Sequence, residues 1–227
     1  VATSNRGLLN RVGLAPTADG QGYWVGASDG GVFAFGDAAF YGSMGGQSLS
    51  APVAGIAARP QGDGYWLTGA DGALYCFGNA GYHGGLYGIH LNAPIVGSCS
   101  TASGNGYWLV GADGGIYCFG DAPFHGSMGG QHLSAPVVAM ARTPGNDYWL
   151  VASDGGIFSF SAPFYGSMGG QHLNAPMVGI AARPQGDGYW LNGSDGGMFC
   201  FGNAGFHGSL GGITLSAPIV GITATPS

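Results

Sequence analysis

The sequence predicts an all-β, five-bladed β-propeller of four-stranded antiparallel blades. Three observations predict it. First, Tyr23-Trp24, Tyr65-Trp66, Tyr107-Trp108, Tyr148-Trp149 and Tyr189-Trp190 recur at spacings of 42, 42, 41 and 41 residues. Second, each pair is followed by an Asp-Gly step, an apolar-aromatic run and a glycine-rich stretch. A fixed period near 40 residues with several short strands is the pattern of a copied propeller blade. Third, all charge is carried by Arg and Asp, with no Lys and no Glu, and Gly makes up 49 of 227 residues. Lys and Glu favour exposed helices, so their absence argues against any. Glycine at about three times its usual frequency, with no Gly-X-Y period, calls for many tight turns.

The third repeat shows each element in order. Ala93-Pro94-Ile95-Val96-Gly97 opens a short apolar strand, and the polar stretch Thr101 to Gly106 turns. Tyr107 to Ala112 forms a second strand. Asp113-Gly114 then predicts a two-residue hairpin of type I′, with positive φ at both central positions. Ile116-Tyr117-Cys118-Phe119 is a third strand, whose alternation puts Tyr117 and Phe119 on one face and Cys118 on the other. Pro123 to Ser127 is expected as a short fourth strand, its proline suited to an edge. One such blade cannot bury both faces alone; five in a ring can.

The chain reads as a single domain over 1–227, built from five repeats of about 42 residues. Its ends add one strand too many. The first repeat opens on Arg11-Val12-Gly13-Leu14-Ala15, a weaker version of the theme. Ala217-Pro218-Ile219-Val220-Gly221-Ile222 begins an extra C-terminal strand at about 217–225. Closure of the ring by that strand is the expectation, since propellers protect their edges.

Composition bounds the function. A net charge of −6 with only five basic residues lacks the basic stripe that nucleic-acid binding requires. No apolar run approaches the ~18 residues of a membrane span. No signal peptide is visible, although one can have been removed. Cys76, Cys118 and Cys200 share one repeat slot with Ala34 and Ser159, and Cys99 sits in a slot held elsewhere by alanine. These are expected as buried free thiols that act as small apolar side chains.

The pattern Gly-Tyr-Trp-Leu-x-x-x-Asp-Gly-Gly, then Phe-x-Phe-Gly-Asp-Ala-x-Phe-Tyr-Gly-Ser, then Leu-Asn-Ala-Pro-Ile-Val-Gly-Ile, resembles glycine-rich repeats of secreted and cell-wall-associated actinobacterial proteins. The resemblance runs from about Gly13 to Gly221 and implies a secreted or cell-surface location. By blade number and size the chain is also similar to five-bladed lectins of the tachylectin type, which bind amino sugars between blades. No binding residue carries over from that likeness.

The candidate site follows from the repeat. Gly42-Ser43-Met44-Gly45-Gly46-Gln47 recurs as Gly126 to Gln131 and Gly166 to Gln171. Such loops offer backbone amides, a hydroxyl and an amide side chain, which suit hydroxyl-rich ligands. The expected ligand-binding residues are therefore Ser43, Gln47, Ser127, Gln131, Ser167 and Gln171, with the neighbouring Tyr41, His125 and Tyr165. The tryptophans are expected in the blade core, and the partner tyrosines are open between core and surface. Histidines fall in two slots that swap freely with Tyr, Ser or Thr, which predicts no metal site. The Asp residues before Gly are accounted for by their turns. No Ser-His-Asp order or paired Glu stands out, so neither catalysis nor a cofactor is expected.

The resulting reading is a non-enzymatic, extracellular carbohydrate-binding module for an amino-sugar or cell-wall glycan, with shallow repeated sites between blades. The alternative is a structural protein that self-associates by exchanging its terminal strand. Low surface charge and the absence of Lys, a usual guard of sheet edges, motivate it.

Overall fold

A computed structural model describes residues 13–225. Among them there is no helix; fifteen strands form five separate antiparallel sheets of three. The first blade is β1 (Gly13–Pro16), β2 (Tyr23–Gly26) and β3 (Val32–Phe35), and the second is β4 (Val53–Ala58), β5 (Gly64–Gly69) and β6 (Leu74–Gly78). The third is β7 (Ile95–Ser100), β8 (Gly106–Gly111) and β9 (Ile116–Gly120). The fourth is β10 (Val137–Arg142), β11 (Tyr148–Ala152) and β12 (Ile157–Phe160), and the fifth β13 (Met177–Ala182), β14 (Gly188–Gly193) and β15 (Met198–Gly202). Each is a meander with the Tyr-Trp strand in the centre.

The first strands line a central channel of about 330 Å³ walled by glycine and aliphatic side chains. In blades two to five the register slips by one residue near the start of this strand, at Ala54, Val96, Val138 and Val178. Such a bulge bends the strand, and all four residues face the channel.

Two turn expectations need correction. The hairpin after β2 is a three-residue loop rather than a two-residue one. The Ala27 N–H donates to the Gly31 carbonyl, and the Gly30 N–H donates to Ala27. Only Gly30 has positive φ, at +82°. A type I turn closed by a left-handed glycine spares the Asp an unfavourable backbone. The Asp29 carboxylate instead accepts from the Gly31 N–H at 2.9 Å, and the other blades repeat this.

Nor does a fourth strand form. The segment after each third strand runs as an extended strap with no ladder. Its carbonyls are claimed by side chains. Trp24 Nε1 donates to the Ala39 carbonyl at 2.7 Å, and the other tryptophans do the same within their own blades. In mid-strap sits a glycine near φ +130°, a region closed to other residues. A Cβ on Gly42 would lie 2.7 Å from the Phe77 ring of the next blade. A regular strand accommodates neither feature.

Trp24, Trp66, Trp108 and Trp149 are fully buried, and so are Tyr65, Tyr107, Tyr148 and Tyr189. Across each boundary the tryptophan of one blade meets the tyrosine of the next, at ring separations of 5.5, 5.3, 5.8 and 5.2 Å. Each such aromatic removes roughly 150–250 Å² from water, a gross gain of about 4–6 kcal/mol. Trp66, Trp108 and Trp190 stand opposite Cys76, Cys118 and Cys200 in register, so the small slot leaves room for the indole. All four cysteines are free.

The two ends of the array differ from its interior. Tyr23 is 41% exposed and stacks on Phe35 of its own blade, with ring centroids 5.1 Å apart. At the other end Trp190 is half-buried. The expected C-terminal strand at 217–225 forms no ladder, because no Tyr-Trp strand lies beside it. Its Ile219 N–H donates to the Ser194 carbonyl at 2.9 Å. That bond copies Val53 to Ser28, Ile95 to Ala70, Val137 to Ala112 and Met177 to Ser153. The segment therefore takes the place of a sixth first strand, beyond blade five, and does not compete with β1. Arg11 and Val12, expected in the opening strand, lie outside the described residues.

Candidate functional site

The strap and the glycine loop that follows it carry every residue expected to bind a ligand. Tyr41 and Tyr165 turn inward rather than outward. Tyr41 Oη donates to the Gly62 carbonyl at 3.0 Å, and Tyr165 Oη to that of Gly186 at 3.2 Å. In the same slot His125 places Nε2 3.6 Å from Asp147 Oδ1, an ion pair only when the imidazole is protonated. All three thus contact the first turn of the following blade.

Just below them the strap is held by the next blade's tyrosine. Tyr107 Oη donates to the Gly84 carbonyl at 2.7 Å and accepts from the His83 N–H at 2.9 Å. Tyr65, Tyr148 and Tyr189 make the same pair of bonds. Burial pushes these hydroxyls up, that of Tyr107 to about 12.

Ser127 and Ser167 are committed to the loop. Each accepts from the N–H two residues on, at 2.8 Å, and donates to the hairpin glycine carbonyl of its own blade. Ser43 accepts from Gly45 in the same way. Gln47, Gln131 and Gln171 are exposed, and no hydrogen bond ties their side chains among the described residues. The glutamines are thus the free polar groups of the expected set.

Two features escaped the sequence. One is an aromatic on the rim of every blade: Phe40, Tyr82, Phe124, Phe164 and Phe206 are between 61% and 67% exposed. They immediately precede the slot of Tyr41, and only the strap's course shows which of two adjacent aromatics turns out. The other is a groove of about 300 Å³ between blades four and five. It is walled by the connection His172 to Ala175, the hairpin Asp195 to Phe199, and Ser209 and Gly211 of the fifth loop. His172, Asn174, Asp195 and Phe199 thus line one space, where the Ser209 hydroxyl is held by the Gly196 carbonyl and the Met198 and Gly211 N–H groups. These residues come from three stretches of sequence, so spacing cannot group them. At the boundary of blades one and two, Ser50 stands in the Asn174 slot and donates to the Asp71 carboxylate.

No sequence-family model matches the chain, and no curated protein matches it. Its structure resembles the β-propeller domain of Cps50 (Swd1) from Myceliophteria thermophila, with a TM-score of 0.62 at 13% identity. That likeness covers 100% of this chain and 80% of the other. The fold is a β-propeller with five blades. At this identity the likeness concerns fold alone.

Proposed function

We propose that this propeller is an extracellular, non-enzymatic carbohydrate-binding module, directed at a glycan polymer such as an amino-sugar or cell-wall chain. The observation that carries this reading is the groove between blades four and five. Its size lies at the small end of ligand pockets, suited to one or two sugar rings. His172, Asn174 and the second carboxylate oxygen of Asp195 supply donors and acceptors for hydroxyl groups, while Phe199 offers a ring face to the apolar side of a sugar.

Repetition supports the polymer. Five rim aromatics and three exposed loop glutamines present similar chemistry around one disk. Weak sites displayed in this way gain by avidity on a repeating ligand and little on a monomer. The low charge of the chain suits neutral or weakly charged glycans.

The test is retention on immobilised amino-sugar polymer and peptidoglycan, compared with neutral glucans. Asn174→Ala combined with His172→Ala, both exposed positions, is expected to weaken retention at least threefold with the far-ultraviolet spectrum unchanged. Phe124→Ala with Phe164→Ala is expected to weaken polymer binding more than oligomer binding. Absence of binding to every glycan by a folded sample overturns the reading.

A further inference from the structure

The described residues hold three arginines, and all three line one cavity. Further along the same first strands that wall the central channel lies a second space of about 580 Å³. Arg59, Arg142 and Arg183 border it, at the ends of β4, β10 and β13. No aspartate lines it. In a chain of net charge −6 that is a local reversal of sign.

The three arginines are not equivalent. Arg59 pairs with Asp63 and Arg183 with Asp187, in the turn that follows each strand. Blade four carries Thr143 in that slot, and its arginine stands one position earlier, as the last residue of β10. The aspartate of its turn, Asp147, faces His125 of the preceding blade instead. Arg142 Nη1 donates to the Thr143 carbonyl at 3.1 Å. Among the described residues no other acceptor meets its guanidinium, and no carboxylate pairs with it. A guanidinium carries five donors in a planar fork that matches a carboxylate. The half-buried Arg142 uses one of them.

Beside the arginines the wall turns apolar. Leu14, Ile56, Met140, Ile180 and Ile222, with Ser98, occupy one repeat slot and border both this cavity and the central channel. Ser98 Oγ accepts from Thr68 Oγ1 at 2.9 Å, so the polar member of the ring is already engaged. Met140 precedes Arg142 by two residues on the same face of β10. That is about 7 Å along the strand, the length of roughly six chain carbons. An apolar wall with a few convergent polar groups, around a volume of this size, is the pattern of a small-molecule pocket.

We propose that this end of the axial cavity is a binding site for a small aliphatic monocarboxylate. The carboxylate accepts two N–H bonds from the Arg142 guanidinium, and the chain lies along Met140, Ile56 and Ile180 toward the central channel. A single uncompensated guanidinium selects one negative charge, and the apolar ring selects a hydrocarbon chain over an inorganic anion. The site shares no residue with the groove between blades four and five, so either binding activity can be lost without the other.

The test is isothermal titration calorimetry on the full chain with acetate, butanoate, hexanoate and octanoate, and with inorganic phosphate and octylamine. Saturable one-to-one binding of octanoate is expected, with affinity rising about three- to fourfold per added methylene along the series. Phosphate and octylamine are expected to bind at least about tenfold more weakly than octanoate. Arg142→Met keeps an aliphatic stem and removes the fork, and is expected to weaken octanoate binding at least about tenfold. Arg142→Lys keeps the charge without the fork and is expected to recover part of that loss. Far-ultraviolet spectra check that both variants fold; should Arg142→Met fail to, the ligand series on the unaltered chain decides alone. Absence of octanoate binding to the folded chain overturns the proposal. So does phosphate or octylamine binding as tightly as octanoate, an affinity independent of chain length, or equal octanoate binding to a folded Arg142→Met.

Discussion

Tyr107→Phe removes one oxygen from the fold and nothing else. The ring keeps its place 5.3 Å from Trp66 and 5.6 Å from Phe119, so packing is retained. Lost are the bond to the Gly84 carbonyl and the bond from the His83 N–H. Each neutral hydrogen bond contributes about 0.5–1.5 kcal/mol net, so the expected loss is about 1–3 kcal/mol. The strap lies near solvent, where freed groups recover partners in water, so the larger penalty of a buried orphan does not apply. With a urea slope of about 1–3 kcal/mol per molar, the unfolding midpoint falls by roughly 1 M. Hydrogen exchange gives a local readout, because the His83 amide loses its acceptor and exchanges faster. Tyr23→Phe is the internal comparison. Its hydroxyl holds no strap, and the expected change is within about 0.5 kcal/mol. Equal effects of the two substitutions would refute the claim that tyrosine hydroxyls pin one blade to the next.

Gly126→Ala and Gly208→Ala impose the same backbone strain, at φ +129° and +124°, but only the first drives a Cβ to 2.7 Å from Phe160. Gly126→Ala is expected to cost about 1–3 kcal/mol more in denaturant unfolding. Stability is expected to fall as pH rises from about 10 through 12. The unfolded chain's tyrosines ionise near 10.0, while burial keeps Tyr107 protonated to about 12, so the unfolded state gains. Urea titrations at pH 9 and 11 check this, with Tyr107→Phe showing the shallower dependence. Burial pushes all four thiols up. Native alkylation at pH 8 is therefore expected to be slow, with Cys200 reacting first because it is the least enclosed of the four; mass spectrometry of timed samples reads the order.

The repeat is fully legible in the sequence. Five Tyr-Trp pairs on one period, each with its Asp-Gly hairpin, define five blades, and the alternation of Tyr117, Cys118 and Phe119 assigns the two faces of a third strand. The small slot held by Cys76, Cys118 and Cys200 was legible too, because room for an indole is a requirement within one sheet. Pro123 to Ser127 does not form the expected fourth strand. Its composition suits a strand, but its backbone groups bond to Trp108 of its own blade and Tyr148 of the next. Nothing in the local pattern announces that a side chain from the following repeat has taken the place of a ladder.

Tyr41 and Phe40 show the same division at the candidate site. Both are aromatic and adjacent, yet one bonds to Gly62 and the other faces solvent. Strand order, turns and the tryptophan core follow from interactions within a single repeat, which a short stretch of sequence contains in full. The rim aromatics, the groove of His172, Asn174 and Asp195, and the arginine-lined end of the axial cavity depend on how one blade sits against the next. Those contacts join residues some twenty or more positions apart through packing between sheets. Only the assembled molecule brings them together.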